Sequence, residues 1–162
     1  MNWLPFRKRN RDNSAPPATS PVDNQPAVGC GKKILIVDDD AVIIKTTSAK
    51  LKSQGYQVTA AVDAAEAVSA VRQDKPDLIL LDISFPPDVG SVDWDGFKIM
   101  AWLQRMDEAK NIPVIIITGG DPAKYKDRSL ATGAVAFFHK PIEHDELLTV
   151  IAETLRNSQP SA

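Results

Sequence analysis

The sequence predicts an α/β fold in which helices cover both faces of a parallel five-stranded sheet. Five short apolar segments alternate along the 162-residue chain with five segments of helical character, which is the pattern of parallel strands joined by crossover helices. Several of the apolar segments are uninterrupted runs, as expected for strands that are buried on both faces. The predicted strands cover residues 34–37, 57–62, 78–81, 113–117 and 135–138.

The first predicted strand runs directly into three acidic residues. Residues 34–37 are all aliphatic, and Asp38, Asp39 and Asp40 follow them. Neighbouring carboxylates repel each other unless a cation lies between them, and Mg²⁺ prefers oxygen ligands of this kind. The alternative is that Asp39 or Asp40 caps the following helix. On balance the pattern favours a cation site.

The remaining elements are predicted from caps and breaks in the chain. The predicted helices cover residues 41–54, 63–73, 95–106, 121–132 and 143–156. Asp63 is suited to cap the second helix, and Gly55 and Gly133 are suited to end the first and fourth helices. The alternating pattern of residues 57–62 is typical of an edge strand. The side chains of the first helix that are expected to face the sheet are Val42, Ile43, Ala49 and Leu51.

Polar side chains stand at or just after most of the predicted strand ends. These residues are Asp38, Asp39, Asp82, Thr118 and Lys140. Because parallel strands end at one edge of a sheet, we expect these side chains to converge there. A carboxylate can attack phosphorus and form an acyl phosphate, and hydroxyl and ammonium groups stabilise phosphoryl oxygens. Taken singly, Thr118 could cap a helix and Lys140 could form a structural ion pair with Asp82.

Residues 32 to about 156 resemble a response-regulator receiver domain, the phosphoacceptor module of bacterial two-component signalling. The resemblance rests on four motifs. Residues 34–40 match the opening strand with its acidic pair, and residues 77–82 match the strand that ends in the phosphorylated aspartate. Residues 115–119 match the strand with the hydroxyl residue, and residues 137–141 match the lysine–proline signature. The resemblance implies a flavodoxin-like fold with strand order 2-1-3-4-5.

The resemblance also implies a magnesium-dependent phosphoacceptor site. Asp82 would receive a phosphoryl group from a sensor histidine kinase or a histidine phosphotransfer protein. Asp38, Asp39, Asp82 and the backbone carbonyl of Ser84 would hold Mg²⁺. Such a domain is a signalling phosphoacceptor and is not expected to be an enzyme with a separate substrate.

Three further residues have roles in the family that the resemblance carries over. Thr118 and Lys140 would contact the phosphoryl oxygens, and Phe137 occupies the position of the switch aromatic. Thr118 and Phe137 would move together on phosphorylation. Their movement would remodel the face built from the fourth helix, the fifth strand and the fifth helix, which a downstream effector protein would bind.

The chain departs from the family pattern after the third strand. The Asp95–Gly96 pair arrives several residues late, so we infer an insertion at residues 87–94, beside the expected site. We expect this insertion, with Asp88, Asp93 and Trp94, to alter kinase choice or the dephosphorylation rate. No output domain is expected after the fifth helix, which indicates a stand-alone receiver.

Composition predicts little beyond a soluble domain. Residues 1–31 are rich in proline and are expected to form a disordered extension, and residues 158–162 a disordered tail. The formal net charge of -2 gives no reason to expect direct nucleic-acid binding. The single cysteine, Cys30, suits a reducing, cytoplasmic setting, and no apolar run has the length of a transmembrane helix.

Two alternatives remain at this stage. In a haloacid-dehalogenase-like phosphatase, Asp38 would be the nucleophile and Asp40 the acid–base residue, with Thr118 and Lys140 in similar roles. That family needs a further acidic strand end after the lysine, and it leaves Asp82 without a role. The other alternative is a receiver-fold binding module without phosphorylation, against which the complete set of acidic and donor residues argues.

Overall fold

The computed structural model describes residues 29, 31–84 and 96–158 of the chain. Strands and helices alternate throughout this described part, as predicted. In chain order the elements are β1 (Lys33–Val37), α1 (Ala41–Ser53), β2 (Gln57–Ala61), α2 (Ala64–Asp74), β3 (Leu78–Leu81), α3 (Gly96–Leu103), β4 (Val114–Thr118), α4 (Pro122–Ala131), β5 (Ala136–His139) and α5 (His144–Asn157).

The five strands of the described part form one sheet with the order β2-β1-β3-β4-β5. Every neighbouring pair of strands is parallel. The predicted flavodoxin-like fold and its strand order are therefore confirmed. Because all strands point the same way, their carboxyl ends share one edge of the sheet, where folds of this type bind their ligands.

The core has one apolar layer on each face of the sheet. Leu35 and Val37 of β1 face a layer that includes side chains of α2 and α3. Ile34 and Ile36 of the same strand face a second layer that includes side chains of α1 and α5. The alternation follows from the two-residue repeat of a strand. Burial on both faces explains why β1 is uniformly aliphatic.

The predicted ends of α1, α2 and α4 agree with the structure to within one residue or so, whereas α3 ends at Leu103 and not at Met106 as predicted. The Asp63 side chain accepts a 2.8 Å hydrogen bond from the amide of Glu66, and the Glu66 side chain accepts a 3.0 Å bond from the amide of Val62. These bonds satisfy amides at the start of α2 that have no partner within the helix. Gly55 and Gly133 follow α1 and α4 with φ values of 87° and 93°. Both adopt the left-handed conformation that favours glycine after a helix.

The predicted inner face of α1 is wrong in part. Leu51 is buried as predicted, but Val42 is 68% exposed and Ala49 is also exposed. The side chains that face the core are instead Ile44, Thr47 and Leu51, which are spaced three and four residues apart. Val42 was predicted to be buried because it is apolar, whereas the orientation of α1 on the sheet turns the Val42 side chain outward.

Some predictions fall on parts of the chain outside the described residues. They concern residues 1–28, the 87–94 insertion with Asp88, Asp93 and Trp94, and residues 159–162. Among the described helices, none is both long and apolar enough to cross a membrane.

Candidate functional site

The ends of β1 and β3 bring three carboxylates together. The two strands pair in register with Val37 opposite Leu81, so Asp38 and Asp82 follow at equivalent positions. Asp38, Asp39 and Asp82 each present a carboxylate oxygen within 4.8 Å of the others. Asp38 and Asp82 are only 2% and 3% exposed, whereas Asp39 is open to solvent. The predicted acidic cluster therefore exists as a compact, mostly buried group.

Lys140 lies between the two buried carboxylates. Its Nζ atom is 2.7 Å from Oδ2 of Asp38 and 2.7 Å from Oδ2 of Asp82. The backbone amide of Lys140 donates a 2.9 Å hydrogen bond to the carbonyl of Thr118, which extends the pairing of β4 and β5 to this point. A cis peptide bond joins Lys140 to Pro141. The Lys140 ammonium, just after the end of β5, therefore lies within the acidic cluster.

Burial and hydrogen bonding shift the proton affinities of the two closest groups. Burial raises the pKa of Asp38, and hydrogen bonds from Lys140 and from the amide of Asp40 oppose this effect only in part. Burial by itself would lower the pKa of Lys140, but its hydrogen bonds to Asp38 and Asp82 outweigh burial and raise the pKa above its usual value. Lys140 therefore carries its positive charge throughout the neutral range.

Two hydroxyl groups complete the site on the β4 side. The amide of Ser84 donates a 2.7 Å hydrogen bond to Oδ1 of Asp82. The hydroxyl groups of Ser84 and Thr118 are hydrogen-bonded at 2.5 Å, and the amide of Gly120 donates a 3.2 Å bond to Oγ1 of Thr118. Thr118 is fully buried.

Sequence reasoning found Thr118 but missed two contributors to this side of the site. It assigned a role only to the backbone carbonyl of Ser84, and it assigned none to Gly120. The available signal was position, since each of these residues lies two places after a predicted site residue at a strand end.

The donor set fits a hard divalent cation. Three carboxylates face a single ammonium within the described cluster, which leaves a surplus of two negative charges when all four groups are ionised. Oxygen ligands at one edge of a sheet, one of them open to solvent, suit Mg²⁺, which keeps several waters and takes one or two carboxylates. Asp38, Asp39 and Asp82 are the residues positioned to hold it.

Phe137 lies beside the site in β5. It pairs in register with Ile116 and packs, partly buried, against the same apolar layer as α2 and α3. The next residue, Phe138, packs into the opposite layer.

Asp40 is used for helix capping. Its Oδ1 atom accepts hydrogen bonds of 2.8 Å and 3.3 Å from the amides of Val42 and Ile43 at the start of α1. The predicted alternative of a cap is thus correct for Asp40. A carboxylate that satisfies two helix amides is poorly suited to the acid–base role that the phosphatase interpretation requires.

The family model described as "Response regulator receiver domain" matches residues 34–152. Protein PilH of Pseudomonas aeruginosa is 34% identical over 123 residues, which cover 76% of this chain and 97% of PilH. The DNA-binding dual master transcriptional regulator RpaA of Synechocystis is 32% identical over 126 residues. That match covers 78% of this chain but 50% of RpaA, so the chain spans about half the length of this relative.

Solved structures agree with these matches. The CheY-like receiver domain protein of Methanospirillum hungatei has a TM-score of 0.68 at 31% identity, covering 78% of this chain and 95% of that one. The receiver domain of a sensor histidine kinase from Pseudomonas aeruginosa has a TM-score of 0.66 at 28% identity, covering 78% and 99%. That structure is described with a magnesium ion coordinated in the active-site cleft.

The chain belongs to the response-regulator receiver domain family. Its fold, its strand order and the matched residues all support this assignment. The phosphatase interpretation is not favoured, because Asp40 caps α1 and because the family model and the two solved structures are those of receiver domains.

Proposed function

We propose that Asp82 accepts a phosphoryl group from a sensor histidine kinase or a histidine phosphotransfer protein in the cytoplasm. The observation that carries this proposal is the position of the Asp82 carboxylate. It lies at the carboxyl end of β3, 2.7 Å from the Lys140 ammonium and hydrogen-bonded to the amide of Ser84. An ammonium and nearby hydroxyl groups are the donors that a transferring phosphoryl group needs around its oxygens.

In the proposed reaction a carboxylate oxygen of Asp82 attacks phosphorus, and an acyl phosphate forms. The bond between phosphorus and the histidine nitrogen of the donor breaks, and its electron pair stays on that nitrogen. Lys140 and Thr118 then contact the oxygens of the new phosphoryl group. Asp38, Asp39, Asp82 and the carbonyl of Ser84 would hold Mg²⁺. When bound, Mg²⁺ supplies positive charge that offsets the carboxylates and stabilises the phosphoryl oxygens.

The proposed output surface is the face of α4, β5 and α5. Phe137 and Thr118 would change conformation together and alter this face. Leu130 near the end of α4 and Val135 just before β5 are 43% and 49% exposed. Apolar side chains exposed here would suit contact with a downstream effector protein.

The test is mass spectrometry of the intact protein after incubation with acetyl phosphate, with and without Mg²⁺. We expect one phosphoryl adduct on the wild type, loss of the adduct without Mg²⁺, and none on Asp82→Asn. Asp107→Asn is the matched control, because Asp107 is an exposed carboxylate that pairs with Lys110 away from the site. It should be phosphorylated like the wild type.

Two results would contradict the proposal. An adduct that survives in Asp82→Asn and disappears in Asp38→Asn would move the nucleophile to the end of β1. No adduct with either acetyl phosphate or a phosphorylated histidine kinase would leave a binding module that does not accept phosphoryl groups.

A further inference from the structure

The ring of Tyr125 on α4 occupies the space beside Gly120 in which a side chain would otherwise lie. A Cβ atom added to Gly120 would be 2.5 Å from Cε2 and 2.8 Å from Cδ2 of the ring. The same Cβ would be 3.6 Å from the Ser84 hydroxyl, which lies in the phosphoacceptor site. The tyrosine ring thus rests on the backbone at the rim of that site.

The same short segment of backbone contacts Thr118. The amide of Gly120 donates a 3.2 Å hydrogen bond to Oγ1 of Thr118, and this hydroxyl also bonds to Ser84. A change in the orientation of the Thr118 hydroxyl therefore changes the acceptor available to Gly120. If Gly120 moves as a result, the Tyr125 ring has to move with it, because the ring lies against this residue.

Tyr125 also contacts the core through the buried side chain of Phe97. Its ring centroid is 6.2 Å from that of Phe97, with the planes tilted by 30°, and Phe97 is buried. The guanidinium carbon of Arg128 lies 3.9 Å from the centroid of the Phe97 ring. Aromatic and cation–π contacts of this geometry are attractive, so they help to hold α4 on α3.

These contacts matter because α4 is weakly buried. Ser129 is the one buried residue of this helix. A helix with so little enclosed surface depends on a few anchoring contacts for its position. Tyr125 is such an anchor near the start of α4, and the side-chain amide of Gln104 donates to the carbonyl of Thr132 just after its end.

We propose that Tyr125 is a positioning residue that transmits the state of the Thr118 hydroxyl to α4 through Gly120. This inference rests on the proposed function, because phosphorylation of Asp82 is what would reorient Thr118. Tyr125 lies on α4, whereas Phe137 lies on β5. Through this contact, the first turns of α4 would respond to the orientation of the Thr118 hydroxyl. The hydrogen bond from Gln104 to Thr132 holds the other end of the helix.

The first experiment compares two neighbouring glycines in the unphosphorylated full chain. Gly120→Ala places a methyl group against the Tyr125 ring, whereas a Cβ on Gly119 meets nothing within 4 Å. Hydrogen exchange of the α4 amides should be at least threefold faster in Gly120→Ala than in Gly119→Ala, with the exchange of β3 amides equal in both. Equal α4 exchange in the two variants would overturn the proposal.

A double-mutant cycle tests whether the tyrosine ring mediates this effect. In a Tyr125→Ala background the methyl group of Gly120→Ala has no ring to displace, so it should add no further change in α4 exchange. An undiminished effect of Gly120→Ala in that background would show that the ring is not the mediator and would overturn the proposal.

The second experiment measures the response to phosphorylation. With acetyl phosphate and Mg²⁺, Tyr125→Ala should take up the phosphoryl group to the wild-type level by mass spectrometry. Its phosphorylation-dependent change in α4 exchange should fall at least threefold, and Tyr125→Phe, which keeps the ring, should respond like the wild type. A wild-type response in Tyr125→Ala would overturn the proposal.

The two proposals fail in different ways. If no variant and not even the wild type takes up phosphoryl, the proposed function fails. The comparison of Gly120→Ala with Gly119→Ala still decides whether Tyr125 couples Gly120 to α4, because it needs no phosphorylation.

Discussion

The Nζ atom of Lys140 lies 2.7 Å from Oδ2 of Asp82, although the two residues are 58 positions apart in the chain. The same nitrogen is equally close to Asp38. Two buried carboxylates at the ends of adjacent strands would repel each other strongly in a low-dielectric setting. A single ammonium thus holds together a cluster that would otherwise oppose folding, and this cluster is also the proposed reaction site.

Replacing Lys140 by methionine should destabilise the domain by about 3–5 kcal/mol without Mg²⁺, since removal of one partner leaves buried charge uncompensated. Part of this loss should return when MgCl₂ is added, because a divalent cation can replace the lost charge. Urea unfolding with and without MgCl₂ measures both effects. Lys32→Met is the control, as its partially exposed pair with Asp77 should contribute less than about 1 kcal/mol. Equal losses in the two variants would contradict this account.

Asp38→Asn should increase stability at neutral pH. Burial raises the pKa of Asp38 above 3.8, so the native state binds this proton more tightly than the unfolded chain. The stability that Asp38 contributes is fully present below the pKa of this carboxyl in the unfolded chain. It is lost as the pH rises through the higher pKa of the same carboxyl in the folded state. The gain in the urea midpoint of Asp38→Asn over the wild type should therefore shrink as the pH falls towards 3.8. A gain that stays constant from about pH 3 to about pH 7 would argue against this cause.

Gly96→Ala should destabilise the domain by about 2–3 kcal/mol, because overpacked positions force the backbone to move. A Cβ at Gly96 would lie 2.3 Å from Cα of Ile83 and 2.7 Å from the carbonyl oxygen of Asp82. Backbone atoms cannot rotate away as the end of a flexible side chain can. Urea unfolding should show the loss for Gly96→Ala and little change for Gly119→Ala, whose Cβ would be in open space. Similar midpoints for the two variants would count against a tight approach at Gly96.

Lys75→Gly should stabilise the domain by about 0.5–1 kcal/mol. Lys75 follows α2 with φ 49° and ψ 69°, the left-handed conformation. This conformation costs a residue with a Cβ about 1–2 kcal/mol, part of which glycine loses again through its greater freedom in the unfolded chain. Thermal unfolding should show a higher midpoint for Lys75→Gly and none of this gain for Lys75→Ala. A gain of the same size in the alanine variant would point to the lysine side chain instead.

The sequence by itself determined the fold and five of the residues that form the candidate site. Uninterrupted aliphatic runs identified the central strands, since only strands buried on both faces lack polar alternation. Parallel strands end at a common edge, so residues following those strands had to converge. Asp38, Asp39, Asp82, Thr118 and Lys140 could therefore be grouped without any knowledge of their contacts.

Only the tertiary structure decided how these groups pair. Nothing local to residue 140 reveals that its ammonium bridges Asp38 and Asp82, because this contact depends on how three strands align. The same holds for the hydroxyl bond between Ser84 and Thr118 and for the ring of Tyr125 on Gly120. The outward turn of Val42 was likewise hidden, since the sheet sets which side of α1 is buried. Periodicity and strand ends are local properties of a chain, whereas contacts between side chains from different elements exist only once those elements have packed.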